Sequence, residues 1–244
     1  MRAQHEICIS NSLIDSYINY QSADDLYFQY WQNSESATPE HYNAFITEKE
    51  VEFLQKYFKI TITEYNGVPV VPRDDYKMRF GSWFEDEVIY KGNVENLEFD
   101  GKRVVISEKI KETLNDVIAD CKECEYQKFI TTPDFQNFKG YIDFFNEDLI
   151  IDIKTTWNFK AQTYIDNAQV PLYQKITNAG KGCYVVFEAK DKEEHIEVSA
   201  CNILYTEPMQ EWKYNYLKEV SKIMISNYEE YKEKLKNSKY YDIN

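Results

Sequence analysis

Arginine, histidine and cysteine are scarce in this chain. Only four arginines occur, Arg2, Arg73, Arg79 and Arg103, and the net charge is −14. That balance argues against a protein that coats nucleic acid by charge alone, and leaves lysine to supply most phosphate contacts in any local groove. Five cysteines, Cys8, Cys121, Cys124, Cys183 and Cys201, are an odd number scattered over 244 residues, which is not a disulfide framework. Cys121 and Cys124 form one CxxC, but a zinc site needs two more ligands, and besides the other cysteines only His5, His41 and His195 exist. The pair reads as incidental helix-end cysteines. No stretch approaches 18 uninterrupted apolar residues, so no transmembrane helix is expected. Met1-Arg2-Ala3-Gln4-His5-Glu6 lacks the apolar core of a secretory signal. The expectation is a soluble cytoplasmic protein with no membrane partner, long enough for one domain with a real core.

What is present concentrates between Gly140 and Thr155. Tyr141 to Phe145 and Leu149 to Ile153 are β-prone runs, and Asn146-Glu147-Asp148 between them is turn chemistry, so the stretch predicts a hairpin. With Glu147 and Asp148 as the two turn residues, Asp143 lies opposite Asp152, and cross-strand partners share a face about 5 Å apart. Lys154, two residues on, shares that face. Two carboxylates in a half-buried sheet repel, and each resists losing water. A divalent cation resolves the conflict, because hard oxygen ligands are what Mg²⁺ binds. The plain alternative is a salt-bridged, exposed hairpin face.

Gly-x-x-Asp143, with Asp152-x-Lys154 nine and eleven residues after that first Asp, resembles the PD-(D/E)xK nuclease superfamily. The resemblance covers Glu85 to Tyr173. Phe80-Gly81-Ser82-Trp83-Phe84-Glu85 is similar to the Gly-x-x-Tyr/Phe-Glu segment of lambda-type phage exonucleases, and RecB-like members usually carry His where Glu85 sits. Gln169-x-x-x-Tyr173 resembles the motif after the catalytic strand in both branches. Ile9-Ser-x-Ser-Leu13 followed by Leu26-Tyr-Phe-x-Tyr30 resembles the start of RecB-like nucleases, although Tyr27, Phe28, Tyr30 and Trp31 also read simply as core aromatics.

The resemblance implies an α/β fold with a restriction-endonuclease-like core, a mixed sheet flanked by helices. It implies a single domain over 1–244, with 1–78 as a mainly helical extension packed on the core. The implied activity is a Mg²⁺-dependent deoxyribonuclease, with Mn²⁺ as a substitute, acting as an exonuclease in recombination or DNA end processing. Asp143, Asp152 and the Ile153 carbonyl would hold the metal, with Glu85 completing the shell and Glu87 as fallback. Lys154 would orient or deprotonate water, or stabilise charge; Gln169 would hold Lys154 or a phosphate, and Tyr173 would position Gln169. DNA is the implied partner, with a single-strand annealing or recombination protein and a homo-oligomer as further expectations, in a phage or bacterial setting. Related nucleases with an iron–sulfur cluster place three cysteines after the core; that trio is missing, so no cluster is expected. Two other readings stay open: a non-catalytic nuclease-fold module that binds DNA or protein, and an endonuclease of the same superfamily.

Ser82 with Glu85 three residues on is a capping box and predicts a helix start at Trp83. Free N–H groups near Gly81 and Ser82, with Arg79, would anchor a terminal phosphate, which assigns Arg79 and Ser82 to DNA contact; Gln169 joins them as the resemblance implies. Elsewhere the pattern predicts a helix capped by Ser10 or Ser12, a loop over 33–39, a helix over 39–57, a hairpin around Asn66-Gly67, a polar connection over 92–101 and a helix over 104–119. A strand over 125–131 follows. Beyond the hairpin come a helix over 164–177, kinked or starting late near Gln169 because of Pro171, strands over 183–189 and 195–204, and a C-terminal helix from 208 whose aromatic stripe packs on the sheet.

Overall fold

The computed structural model describes residues 3–35, 37–72 and 74–243. In chain order the helices are α1 (Asn11–Gln21), α2 (Ala23–Trp31), α3 (Pro39–Phe58), α4 (Tyr76–Phe84), α5 (Lys111–Lys122), α6 (Ala161–Ile165), α7 (Gln169–Thr177), α8 (Glu211–Ser226) and α9 (Tyr228–Glu233). The strands are β1 (Ile60–Tyr65), β2 (Val68–Pro69), β3 (Glu98–Phe99), β4 (Lys102–Ile106), β5 (Glu125–Ile130), β6 (Gly140–Asn146), β7 (Leu149–Thr156), β8 (Lys181–Asp191), β9 (His195–Thr206) and β10 (Lys239–Asp242). No helix among the described residues is long and apolar enough to cross a membrane. Two compact units form. One takes the described residues of Met1–Arg73, Thr131–Lys139 and Trp212–Asn244; the other takes Asp74–Ile130 and Gly140–Glu211.

In the first unit the Ser10 hydroxyl accepts from the Leu13 N–H at 3.2 Å and starts α1, while Thr38 does the same for α3 ahead of Pro39. Asn66 and Gly67 both have positive φ, 48° and 81°, the turn that matches strand twist, and join β1 to β2. The C-terminal pattern breaks at Asn227 into α8 and α9. Its Tyr231 meets Tyr17, Phe53 and Tyr57 with centroids 6.3, 5.0 and 5.2 Å away, so this part of the stripe finds its partners in α1 and α3, while Trp212, Tyr216 and Ile223 are exposed. Of the α2 aromatics only Tyr27 is buried; Phe28 and Tyr30 face solvent, which corrects their reading as core. β10, which the sequence pattern did not indicate, pairs with β1.

The second unit is α/β: a seven-stranded mixed sheet in the order β3-β4-β9-β8-β7-β6-β5, on which α4, α5 and α7 pack. The helix expected over 104–119 starts only at Lys111. Val104-Val105-Ile106 is a β-branched run behind an Asp100-Gly101 turn with both φ positive, so it pairs as β4 with β9 instead. Phe80, Phe84, Val88 and Ile89 pack with Leu114 and Ile118 against Phe144, Ile151, Ile153 and Phe187. Strand alternation then puts Asp152 and Lys154 on the opposite face of β7.

α7 begins at Gln169, as Pro171 suggested, because a proline in the first turn loses no helical bond. The Asn167 side chain accepts from the Gln169 N–H at 2.8 Å and from the Tyr184 hydroxyl at 3.0 Å, and that hydroxyl accepts from the Val170 N–H at 3.0 Å. The helix start is thus pinned to β8. Gly182 on β8 provides the seat: a Cβ there would lie 2.6 Å from Gln174 Cδ and 2.7 Å from Val170 Cγ1, both in fully buried side chains. Gly182→Ala should therefore cost about 1–3 kcal/mol by overpacking, read as a lower urea midpoint. Wild-type stability in that variant would show that α7 is not held by this contact.

Candidate active site

The hairpin register is the one the two-residue turn dictates: Asn146 faces Leu149, Phe145 faces Ile150 and Phe144 faces Ile151. The pairing stops there. Continued, it would set Asp143 against Asp152 and let Ile153 exchange hydrogen bonds with Ile142. Instead the Ile153 N–H donates to Asp143 Oδ2 at 3.0 Å. Asp143 thus replaces a backbone ladder with its own carboxylate, and β6 and β7 part at this point. The N–H and C=O of one strand residue point to the same side, so the Ile153 carbonyl also faces the gap.

Three charges meet there. The Lys154 ammonium forms an ion pair with Asp152 Oδ2 and lies 4.0 Å from Asp143 Oδ2. Asp152 is 1% exposed and Asp143 9% exposed, whereas the lysine side chain keeps 32% of its surface. Burial, then Asp152, push the Asp143 carboxyl well above the usual range; burial also raises Asp152, against the pull of Lys154. Lys154 is moved the other way. Burial disfavours its charge, but Asp152 and Asp143 outweigh that and raise its pKa. When both carboxyls are ionised, one ammonium leaves negative charge uncompensated. Asp152 Oδ2 is taken by the Lys154 ammonium, while Oδ1 is buried with no hydrogen-bond partner among the described residues and keeps its lone pairs for a hard cation. Asp143, Asp152 and the Ile153 carbonyl therefore fit a divalent metal in donor chemistry. No three His, Cys, Asp or Glu side chains among the described residues stand together as a ready-made metal cage.

Glu85 approaches from the other side of the unit. The capping box expected at Ser82 does not form: α4 starts at Tyr76 and carries Ser82 inside it, and the chain continues as a π-helical turn over Glu85–Tyr90. Such widened turns recur where a helix must present a side chain at a functional site. Burial raises the Glu85 carboxyl, with Asp152 adding to the rise and the Gln127 amide and Lys154 opposing it. Glu87, the fallback, is engaged elsewhere, with Lys91 at 2.9 Å and with Asn93.

Gln169 and Tyr173 come together on the first turns of α7. Tyr173 is 4% exposed; burial and the charges of Asp152 and Asp143 raise its hydroxyl, offset in part by Lys154 and the Gln169 amide. Gly140 makes room for it, since a Cβ there would sit 3.1 Å from the ring and hydroxyl. The phosphate anchor expected at Arg79 and Ser82 is not built. The N–H groups of Gly81 and Ser82 lie within α4, and Arg79 is held by both oxygens of Asp100, at 3.1 and 2.8 Å, and by Asp75 at 3.0 Å. Two residues missed from sequence adjoin the site. The Gln127 amide donates to Glu85 Oε1 at 2.8 Å, and the Tyr126 ring stacks on Tyr90 at 4.0 Å and 15°. No spacing or motif pointed to either.

The raised carboxyls carry a pH consequence. Asp143 and Asp152 bind protons more tightly folded than unfolded. Their contribution is therefore present below the usual carboxylate pKa, about 4, and is lost as pH rises through the raised folded values. Asp143→Asn, whose amide oxygen can still accept from Ile153, should raise the urea midpoint of the metal-free protein at pH 7. The gain should shrink as pH falls toward 4. A variant less stable than wild type at pH 7 would contradict this charge balance.

No protein-family model and no curated protein matches the chain. Among solved structures it is similar to the crystal structure of SSO0001, at 13% identity and a TM-score of 0.32, over 92% of this chain and 78% of that one. A likeness of that degree carries no argument about fold or activity.

Proposed function

We propose that the second unit is a restriction-endonuclease-like core and that the protein is a Mg²⁺-dependent deoxyribonuclease of the PD-(D/E)xK type, acting on DNA ends. The observation that carries this reading is the gap between β6 and β7, where Asp143, Asp152 and Lys154 meet with too little positive charge. Asp143, Asp152 and the Ile153 carbonyl would hold the cation, with Glu85 alongside. When bound, a divalent cation lowers the pKa of water and neutralises charge on a phosphodiester under attack.

The chain's own groups do the remainder. Lys154 stays protonated beside its carboxylates and is partly open to solvent, which suits it to hold a scissile phosphate oxygen or an attacking water by donated hydrogen bonds. That assigns it electrostatic stabilisation rather than proton abstraction. The half-buried Gln169 amide, at the start of α7, is set to contact Lys154 or a phosphate, and buried Tyr173 keeps that turn in place. The partly open lysine side chain marks the direction from which a strand would approach the otherwise buried carboxylates. The end preference rests on the resemblance to end-using nucleases, without the Arg79 anchor.

The test is cleavage of labelled linear duplex and covalently closed circles in Mg²⁺. Asp143→Ala, Asp152→Ala and Lys154→Ala should each lower the rate by at least about a hundredfold, the usual weight of one group that stabilises transition-state charge. Closed circles should be spared. Circles cut as fast as linear DNA would replace the end-acting reading with an endonuclease of the same type. A wild-type protein that binds DNA without metal-dependent cleavage would leave the non-catalytic module.

A further inference from the structure

Seven non-glycine residues among those described have a positive φ, and six of them sit at helix ends, turns or bends: Lys59, Asn66, Asn96, Asp100, Asn137 and Asn178. Five of these are Asn or Asp, which tolerate that conformation. Gln127 is the exception. It lies inside β5, with φ 54°, and has neither a glycine's freedom nor the short side chain that steadies Asn in this region. The β5–β6 ladder runs Tyr126 with Phe144 and Lys128 with Ile142, which sets Gln127 against Asp143, the residue at which the β6–β7 ladder also stops. The strained residue is therefore the cross-strand neighbour of a proposed metal ligand. Its side chain is exposed, so packing does not explain the conformation, and its amide donates to Glu85 Oε1 at 2.8 Å. Strain of this kind persists where the surroundings enforce it and clusters at functional sites.

We propose that Gln127 is a positioning residue for Glu85: its left-handed backbone carries the amide onto one carboxylate oxygen and so fixes the orientation of that carboxylate beside the site. This rests on the metal-site reading above. One Glu85 oxygen is tied by the Gln127 amide and Tyr126 adds a second partner, so the carboxylate is oriented as partners of metal ligands commonly orient it. The geometry sets stability against function at a single position. A glycine would relieve the backbone and lose the hydrogen bond; an alanine would keep the strain and lose the hydrogen bond.

The experiment is calorimetric titration of the full chain with Mn²⁺, beside urea unfolding in its absence, for wild type, Gln127→Gly, Gln127→Ala, Glu85→Ala, Asp143→Ala and the double variant Glu85→Ala/Gln127→Gly. Gln127→Gly should raise the urea midpoint and weaken Mn²⁺ about tenfold, a common cost of removing a partner of a metal ligand. Gln127→Ala should weaken Mn²⁺ equally with no gain in midpoint. In the Glu85→Ala background, Gln127→Gly should weaken Mn²⁺ no further, a result that a purely structural role would not give. If Asp143→Ala abolishes binding while both Gln127 variants match wild type, the positioning role falls and the metal site stands. An equal loss from Gln127→Gly with and without Glu85 overturns the route through that carboxylate. A wild type that binds no Mn²⁺ removes the metal site and this role with it.

Discussion

Two carboxylates and one ammonium in a buried sheet gap set the terms for the second unit. A buried charge is tolerated only when paired or hydrogen-bonded, and here the pairing is incomplete. Asp143 spends one oxygen on the Ile153 N–H, and both aspartates share the single Lys154 ammonium. A structural ion pair does not require a second carboxylate held against the first. A site for a divalent cation does, and it keeps that cost in the metal-free state.

The surrounding fold reads as support for that gap. The core cluster under Ile151 and Ile153 fixes β7 and so directs Asp152 and Lys154 to the other face. Gly182 lets α7 settle on β8, and the Asn167–Tyr184 contacts fix where that helix begins, which places Gln169 and Tyr173. Gly140, three residues before Asp143, gives Tyr173 its room. On the far side the π-helical turn brings Glu85 toward the same charges, and Gln127 meets it from β5.

Local chemistry made much of this legible in the sequence. The two-residue turn set the hairpin register, the spacing of Asp143, Asp152 and Lys154 put them on one face, and Pro171 marked the start of α7. Long-range effects did not show. The parting of β6 from β7 depends on a side chain displacing a backbone bond. Arg79 pairs with Asp100, 21 residues away, so its use as a phosphate anchor could not be judged from its neighbours. Ser82 and Glu85 matched a capping box by spacing, yet α4 had already begun at Tyr76 and carried them through. Val104-Val105-Ile106 also fits a helical period, and only the Asp100-Gly101 turn before it marks a strand. A left-handed glutamine in a strand leaves no mark in the sequence.

The central claim is that the gap between β6 and β7 is a divalent-cation site built on Asp143 and Asp152. The most direct measurement is the thermal midpoint of the full chain with rising Mg²⁺, for wild type and for Asp152→Asn, at constant ionic strength. A ligand that binds only the folded state raises that midpoint, by about 2.7 kcal/mol of stability at a hundred times its dissociation constant. The account predicts a saturable rise in the wild type and none in Asp152→Asn. A wild-type midpoint indifferent to Mg²⁺, or a variant that rises in parallel, would contradict it.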